Sequence, residues 1–347
     1  MPSTEYRRYV ALGDSQTEGL GDGDDTAGLR GFADRFAGHL EAARPGLHYA
    51  NLAVRGRLAG QVRAGQLEAA LALRPDIATV VAGVNDVLRP RFDAAEVAGH
   101  VEAMFAALTA AGTHVATVTF PDLGRVVPLA RPLAPRLAEL NDRIRDAAAR
   151  HGVTVAETAL PEAVADPRMW TTDRLHASAV GHERIAAALA HAVGLPGSDD
   201  SWTHPLPPRT APTPGAAGAA GLGRGGALGD ARVGGRRGGR GARAGPPPAR
   251  PPAPPPPAPA HPPPPAPPAS DDSCTPPLPP RPAPPPGAAV AAELRWAAAF
   301  LGPWLGRRLR GRSSGDGRTA KRPDLLPLTA GSTGPETTGP ETTAAAP

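Results

Sequence analysis

Cysteine, lysine and aromatic side chains are scarce in this chain of 347 residues. It holds one cysteine (Cys274), one lysine (Lys321) beside 36 arginines, and 4% aromatic residues. A single cysteine excludes an intrachain disulfide and any metal site built from several thiolates. No run of about 18 apolar residues occurs, so a transmembrane helix is not expected. The N-terminus has no apolar segment typical of a secretory signal, which makes a cytoplasmic protein the expectation.

Proline is distributed unevenly and divides the chain. Of the 46 prolines, 29 lie between residues 205 and 286, whereas residues 1–197 contain only eleven. A packed core cannot be built from the proline-rich stretch, so a single compact fold of the whole chain is excluded. We predict a globular domain at 1–197, a Gly/Arg- and Pro-rich linker at 198–287, a basic amphipathic helix at 288–312 and a disordered tail at 313–347.

Charge follows the same division. Residues 1–197 carry 20 arginines against 23 acidic residues, and the rest carries 17 basic against ten acidic residues. The basic isoelectric point is therefore a property of the C-terminal part, and no nucleic-acid partner is expected for the domain. Two interpretations of helix 288–312 remain open: its apolar stripe docks on the domain, or its basic end contacts an anionic membrane surface.

An internal repeat lies within the linker. Residues 198–217 are echoed at 270–289 with a constant offset of 72 residues. Similarity held at one spacing over this length indicates an imperfect duplication. Residues 198–269 are then an extra copy in which the Gly/Arg part no longer encodes the helix that follows the second copy.

Five strand-like segments alternate with helix-like segments in residues 1–197. The clearest is the continuous apolar run IATVVA at Ile77–Ala82, which is typical of a parallel strand buried on both faces. The remaining four strands are predicted at Tyr9–Leu12, His48–Ala53, His114–Phe120 and Val153–Glu157. This alternation predicts an α/β fold with a parallel sheet and helices on both faces.

A serine, a histidine and an aspartate lie in loops where an α/β fold of this kind carries its functional residues. Ser15 follows the first strand in Gly13-Asp14-Ser15, at the carboxyl edge where open α/β sheets bind ligands, although this tripeptide is also an ordinary turn. Among ten histidines, His176 differs because Asp173 precedes it by three residues in a loop before the last helix. That spacing lets the carboxylate orient one ring nitrogen while the other meets a nucleophile. His182, behind Gly181 in the last helix, is expected to be structural.

Two further loops of the same edge offer hydrogen-bond donors for an oxyanion. Gly56, after the second strand, can present its backbone N–H without obstruction by a side chain. Asn85, in Gly-Val-Asn-Asp after the third strand, can present its amide, although an Asn-Asp pair is also a plain turn.

Four blocks together resemble the SGNH/GDSL hydrolase family. They are GDSQTEG at Gly13–Gly19, NLAVRG ending at Gly56, GVND at Gly83–Asp86 and DRLH at Asp173–His176. The resemblance implies a flavodoxin-like three-layer α/β/α sandwich with five parallel strands in the order 2-1-3-4-5. It implies Ser15 as nucleophile, His176 as base and then acid, Asp173 orienting it, and an oxyanion hole of the Ser15 and Gly56 N–H groups with the Asn85 amide. Neither a metal nor an organic cofactor is implied.

The sequence departs from the family pattern in two places. Gln16 follows the serine where the family name has leucine, and Arg55 and Arg57 flank Gly56 where smaller residues are usual. These arginines predict a narrower site or a preference for an anionic substrate. Residues 288–322 also resemble a C-terminal extension of some bacterial members.

The function predicted from these residues is hydrolysis of carboxylic esters of small to medium acyl groups by a serine esterase. Alternatives on the same triad are an acyltransferase or a carbohydrate O-deacetylase. A different alternative is an interaction protein that acts through the basic Pro/Arg-rich part of the chain. The expected partner is a small-molecule acyl ester.

Overall fold

The computed structural model describes residues 6–208, 291, 293–310 and 312–328. The predictions for the Gly/Arg- and Pro-rich stretch, for the second copy of the repeat and for the end of the tail lie outside the described residues. The described residues all belong to one compact unit.

A parallel sheet forms the centre of the fold. Its strands are β1 (Arg8–Gly13), β4 (His48–Asn51), β5 (Ile77–Val81), β6 (His114–Val118) and β7 (Thr154–Ala156). They lie in the order β7-β6-β5-β1-β4, so counting them along the chain gives the predicted order 2-1-3-4-5. Two short strands, β2 (Gly23–Asp24) and β3 (Gly28–Leu29), form a separate antiparallel pair.

Helices cover both faces of the sheet. One layer contains α2 (Phe32–Ala43) and α7 (Ala179–Ala192), and the other contains α3 (Ala59–Ala72), α5 (Ala94–Ala110) and α6 (Ala134–His151). Two single-turn helices, α1 (Ser15–Glu18) and α4 (Val84–Val87), begin just after β1 and β5. The three-layer α/β/α prediction is therefore confirmed.

Residue type explains why the sheet is internal. All five residues of β5 are buried, as expected for a β-branched apolar strand covered on both faces. Aromatic rings close the α2 side, where Tyr9 stacks on Tyr49 with centroids 5.1 Å apart and meets the edge of Phe36 at 5.3 Å. Such ring pairs add to the stabilisation that burial of their area provides.

The sheet has a sixth strand that the sequence analysis missed. Residues Arg322–Pro327 form β8, antiparallel to β4 at the edge of the sheet, so the predicted disordered tail is wrong for this segment. The Arg322 guanidinium donates to the carbonyl of Tyr49 at 2.7 Å. An uncovered β4 would expose a row of unpaired backbone groups, and β8 satisfies them. Its two prolines, Pro323 and Pro327, are tolerated because an edge strand needs N–H donors on one side only.

The predicted boundary between the domain and the linker differs from the one in the structure. Residues 198–208 pack on the domain, because Arg168 donates to the carbonyls of Leu206 and Pro207. The linker prediction that began at 198 is therefore wrong for these eleven residues.

In the C-terminal helix, a π-helical turn at Ala297–Leu301 precedes α8 (Gly302–Leu309). The wider turn stands directly before Pro303, which has no N–H for a regular helical bond.

Within the described part of the chain, none of the helices combines the length and apolar character needed to cross a bilayer.

Candidate active site

The four predicted loops meet at the carboxyl edge of the parallel sheet. Ser15 opens α1 immediately after β1, and Asn85 lies in α4 immediately after β5. Gly56 lies in the loop between β4 and α3, and His176 lies in the loop before α7. Parallel strands bring their carboxyl ends to one edge, so residues more than 150 positions apart come together there.

Ser15, His176 and Asp173 form a continuous hydrogen-bonded chain. The Ser15 hydroxyl donates to His176 Nε2 at 3.0 Å. On the other side of the ring, His176 Nδ1 donates to Asp173 Oδ2 at 2.7 Å. This arrangement selects the imidazole tautomer that can accept the serine proton, which is the requirement for nucleophilic catalysis by serine.

Asp173 is held as an anion by its own loop. Its Oδ1 accepts the Leu175 and His176 backbone N–H groups at 2.9 and 3.0 Å and the Thr171 hydroxyl at 2.5 Å. Burial alone would raise the pKa of this carboxyl, but the hydrogen bond and charge of His176, with the other donors, hold the pKa well below its usual range. An ionised Asp173 is available to stabilise an imidazolium on His176.

Hydrogen bonds fix the backbone just before Ser15. Gly13, the last residue of β1, exchanges two hydrogen bonds of 2.9 Å with the buried side-chain amide of Gln66. Asp14 accepts the backbone N–H of Gln16 and so caps α1. Ser15 is 9% exposed and begins this helix, where a backbone N–H has no acceptor within the helix.

The Asn85 amide is oriented by two acceptors, one of them on Asp14, the residue before Ser15. Nδ2 donates to Asp14 Oδ2 at 3.0 Å and to the carbonyl of Arg57 at 3.1 Å. Because an amide nitrogen carries two hydrogens, donation to an oxyanion requires it to give up one of these bonds, and the neutral carbonyl of Arg57 is the weaker acceptor.

Asp14 is a second carboxyl of the site, and its pKa is shifted in the opposite direction from that of Asp173. Full burial raises its pKa to about 6, against the lowering effects of the Gln16 N–H, the Asn85 amide and the charge of His176. The buried carboxyl contacts Asn85, so its charge strengthens the orientation of that amide.

The loop that carries Gly56 is built around a buried ion pair. Gly56 has φ of +76°, in the left-handed region that a glycine adopts without strain. The guanidinium of the preceding Arg55 donates to Glu18 Oε1 at 2.6 and 2.9 Å and to Asp25 Oδ1 at 2.7 Å. Glu18 also accepts the Arg55 backbone N–H at 2.6 Å. Arg55 therefore supports the loop internally, which corrects the expectation that it recognises an anionic substrate.

Gln16, the departure from the family motif, bridges the residues on either side of His176. Its Nε2 donates to the carbonyl of Leu175 at 2.9 Å, and its Oε1 accepts the N–H of Ala177 at 3.3 Å. Leucine at this position could make neither bond. The role was missed because a lone glutamine has no sequence signal that names a partner some 160 residues away.

His182 joins α7 to α2 and to the loop after α1. Its Nδ1 accepts the Phe32 N–H at 3.1 Å and its Nε2 donates to the carbonyl of Leu20 at 3.0 Å. Burial lowers the pKa of His182 to about 4, so the ring is neutral at physiological pH. The ring holds two backbone segments together, as its expected structural role requires.

An apolar cavity of about 90 Å³ borders the site. Three of its lining residues, Gln16, Val84 and Leu175, are direct chain neighbours of Ser15, Asn85 and His176. Aromatic and aliphatic side chains from the segments after β6 and before α7 complete the lining, including Phe120 and Trp170. An apolar space of this kind suits hydrocarbon and excludes charge.

No group of three or more His, Cys, Asp or Glu side chains is placed to hold a metal ion among residues 6–208 and the described residues of 291–328.

Several solved structures are similar to this chain. The chain is similar to an α/β hydrolase enzyme from the metagenome of Lake Arreo, Spain, with 22% identity, TM-score 0.47 and coverage of 55% of this chain and 95% of that one. A lipase/acylhydrolase from Enterococcus faecalis is similar with 22% identity, TM-score 0.45 and coverage of 54% of this chain and 95% of that one. An acetylxylan esterase from Geobacillus stearothermophilus is similar with 18% identity, TM-score 0.45 and coverage of 54% of this chain and 94% of that one. No curated protein sequence matches the chain.

The family comparison is made on sequence and covers the four blocks almost completely. The model of the GDSL-like lipase/acylhydrolase family matches residues 11–184, half of the chain, from within β1 to within α7. The chain therefore belongs to the GDSL-like lipase/acylhydrolase family and is a hydrolase.

Proposed function

We propose that the protein is a serine esterase that cleaves carboxylic esters of small to medium acyl groups. The observation that carries the proposal is the unbroken hydrogen-bonded chain from Asp173 through His176 to the Ser15 hydroxyl. Acyl transfer needs a nucleophile, a base and an orienting carboxylate in this order, and the proposal is supported by hydrogen bonds that join Ser15, His176 and Asp173 in the same order.

In the first half of the reaction, Ser15 Oγ attacks the ester carbonyl while its proton passes to His176 Nε2. Asp173 stabilises the resulting imidazolium. The negative charge that develops on the carbonyl oxygen is met by the backbone N–H groups of Ser15 and Gly56 and by the Asn85 amide. Collapse of the tetrahedral intermediate transfers the proton to the departing alcohol and leaves an acyl group on Ser15.

In the second half, water replaces the alcohol. His176 takes a proton from the water, whose oxygen attacks the acyl-enzyme, and then returns the proton to Ser15 as the acid leaves. An acceptor with a hydroxyl group could take the place of water with the same residues. Product analysis in the presence of alcohols and of acetylated sugars therefore separates an esterase from an acyltransferase or a carbohydrate O-deacetylase.

The size of the apolar cavity supports the small to medium acyl group of the proposed substrate. Its lining residues Gln16, Val84 and Leu175 adjoin the three functional positions, so an acyl chain could reach it from Ser15. Burying each methylene group there favours binding by about 0.8 kcal/mol until the space is filled. We expect kcat/KM to rise from acetyl to short linear acyl esters and to fall for long chains.

The test is hydrolysis of p-nitrophenyl esters of increasing acyl length by the wild type and by Ser15→Ala. Loss of a triad member should lower kcat by about three to six orders of magnitude. His176→Ala should behave alike, and His191→Ala, at the exposed end of α7, is the matched control that keeps full activity. Retained turnover in Ser15→Ala would refute the assignment.

A further inference from the structure

The C-terminal segment 293–328, which the family model does not cover, contacts two of the catalytic loops. It reaches the loop of Asp173 and His176 at one end and the loop of Gly56 at the other. Between these two contacts the chain runs through the π-helical turn and α8.

The first contact is to the residues on either side of Asp173. The Trp296 indole N–H donates to the carbonyl of Thr172 at 3.0 Å. The Arg174 guanidinium lies over the Trp296 ring at 5.1 Å and pairs with Glu293 at 2.6 Å. Arg174 has φ of +56°, a conformation that an arginine adopts only when its surroundings hold it there.

The second contact is to the peptide unit that carries the oxyanion donor. The N–H of Gly56 and the carbonyl of Arg55 belong to one planar peptide group, so fixing the carbonyl fixes the direction of the N–H. Gly315 packs against this carbonyl so closely that a Cβ on residue 315 would overlap the oxygen. The Ser313 hydroxyl donates to the next carbonyl, that of Gly56, at 3.2 Å.

The turn that makes this contact is itself fastened to the domain. Arg318 pairs with Asp25 at 2.7 Å, and Asp25 also pairs with Arg55. Lys321 pairs with Asp34 at 2.6 Å, immediately before β8 joins the edge of the sheet. These two ion pairs and the pairing of β8 with β4 therefore fix the position of residues 313–315.

We propose that three residues of segment 293–328 position groups of the active site. Ser313 and Gly315 are positioning residues for the Gly56 N–H, and Trp296 is a positioning residue for the loop of Asp173. The proposal rests on the proposed esterase function, because it concerns stabilisation of the same oxyanion.

The physical need for such positioning comes from glycine itself. A residue without Cβ has a broad choice of φ and ψ, so the peptide groups on either side of Gly56 can rotate and turn the N–H away from the substrate. An oxyanion donor is effective only when its direction is settled before the reaction. Contacts on both flanking carbonyl oxygens remove this freedom.

The decisive variants are Gly315→Ala and Ser313→Ala. Gly306→Ala, in α8, is the matched control for the first, because its Cβ would meet only the end of the Arg310 side chain at 3.4 Å. Thr319→Ala, which removes an exposed hydroxyl, is the control for the second. Ser313→Thr keeps the hydroxyl and should restore most of the lost rate. Trp296→Phe keeps the ring and removes the donor to Thr172.

Two rates are measured, well below the unfolding temperature of each variant. One is kcat and KM for the best p-nitrophenyl ester. The other is labelling of Ser15 by a fluorophosphonate, in which Ser15 Oγ forms a bond to phosphorus, fluoride departs and the hydroxyl proton passes to His176. Labelling also places negative charge on an oxygen in the oxyanion hole, so both rates depend on the same donors.

We expect Gly315→Ala to lower kcat and the labelling rate by about 10- to 100-fold with KM nearly unchanged, a partial loss of one oxyanion donor. Ser313→Ala should lower both rates by about 3- to 10-fold, the equivalent of one hydrogen bond. A lower unfolding temperature with unchanged rates in both variants would overturn the proposal and leave the segment a structural role only.

The labelling experiment also separates this proposal from the function on which it rests. If wild-type Ser15 is not labelled, the esterase assignment fails. If wild type is labelled at Ser15 and the variants are labelled equally fast, the esterase assignment stands and the positioning role is wrong.

Discussion

The two loops on either side of Ser15 are held by different means. The loop of Asp173 and His176 supplies most of its own hydrogen bonds, since the Asp173 carboxylate accepts four hydrogen bonds from residues 171–176. The loop of Gly56 depends on distant partners, namely Glu18 through Arg55 and the C-terminal residues Ser313 and Gly315. Side-chain chemistry can be organised locally, whereas the direction of a backbone N–H is decided by whatever packs around its peptide group.

The first prediction removes the charge on which the self-contained loop depends. In Asp173→Asn, the amide in place of Oδ2 disfavours the Nδ1–H tautomer of His176, and kcat should fall by about 10³- to 10⁴-fold. The fold should persist because the substitution keeps the shape. Turnover of p-nitrophenyl esters by Asp173→Asn and wild type checks this, and a loss below about tenfold would contradict the role of the carboxylate.

The second prediction breaks the distant support of the other loop. Glu18→Gln leaves the buried Arg55 guanidinium with only Asp25, whose side chain is 52% exposed. Removing one partner of a buried pair costs about 3 kcal/mol of unfolding free energy, and kcat should fall about tenfold as the loop loosens. Asp25→Asn is the matched control, because an exposed partner contributes about 1 kcal/mol or less. Equal losses in urea unfolding of the two variants would argue against this difference.

The third prediction concerns a distant support of the loop of His176 that lies next to Ser15 in the chain. Gln16→Leu introduces the residue of the family name and deletes the bonds to the Leu175 carbonyl and the Ala177 N–H. We expect kcat to fall about tenfold, as two neutral hydrogen bonds are lost. Gln16→Glu keeps an acceptor for the Ala177 N–H, so its kcat should lie between those of wild type and Gln16→Leu. If Gln16→Leu retains full kcat, the loop of His176 does not need the two hydrogen bonds of Gln16.

The fourth prediction uses His182, which joins α7 to α2 and to the loop after α1. Its pKa is about 4 in the folded protein, below its value near 6.5 in the unfolded chain, so the unfolded chain binds the proton more tightly. The resulting stabilisation is complete above pH 6.5 and is lost as the pH falls towards 4. Between pH 7 and 4.5 the loss from this residue is about 2 kcal/mol.

The measurement is urea unfolding of wild type and His182→Gln at both pH values. Asp14, with its pKa raised to about 6, acts in the opposite direction in the same range, so the difference between the two proteins is the quantity to compare. A wild type that loses no more stability than His182→Gln would show that the ring is not held neutral.

The sequence alone was enough to predict the fold class, the strand order and the candidate triad. Parallel strands of buried apolar residues have a recognisable pattern, and their order is now confirmed. Ser15, Asp173 and His176 could be predicted because Asp173 and His176 lie three residues apart and each block has a characteristic sequence; their catalytic roles stay a prediction. The assignment of Gly56 and of the Asn85 amide to an oxyanion hole stays a prediction.

Tertiary structure decided what depends on partners far apart in the chain. The pairing of β8 with β4, the use of Arg55 by Glu18, and the bridge from Gln16 across His176 join residues that are 37 to more than 250 positions apart. Each of these residues is compatible with several partners, and its sequence neighbours do not select one. Periodicity and spacing record what a chain segment does with its near neighbours, whereas the carboxyl edge of the sheet is assembled from segments that only folding brings together.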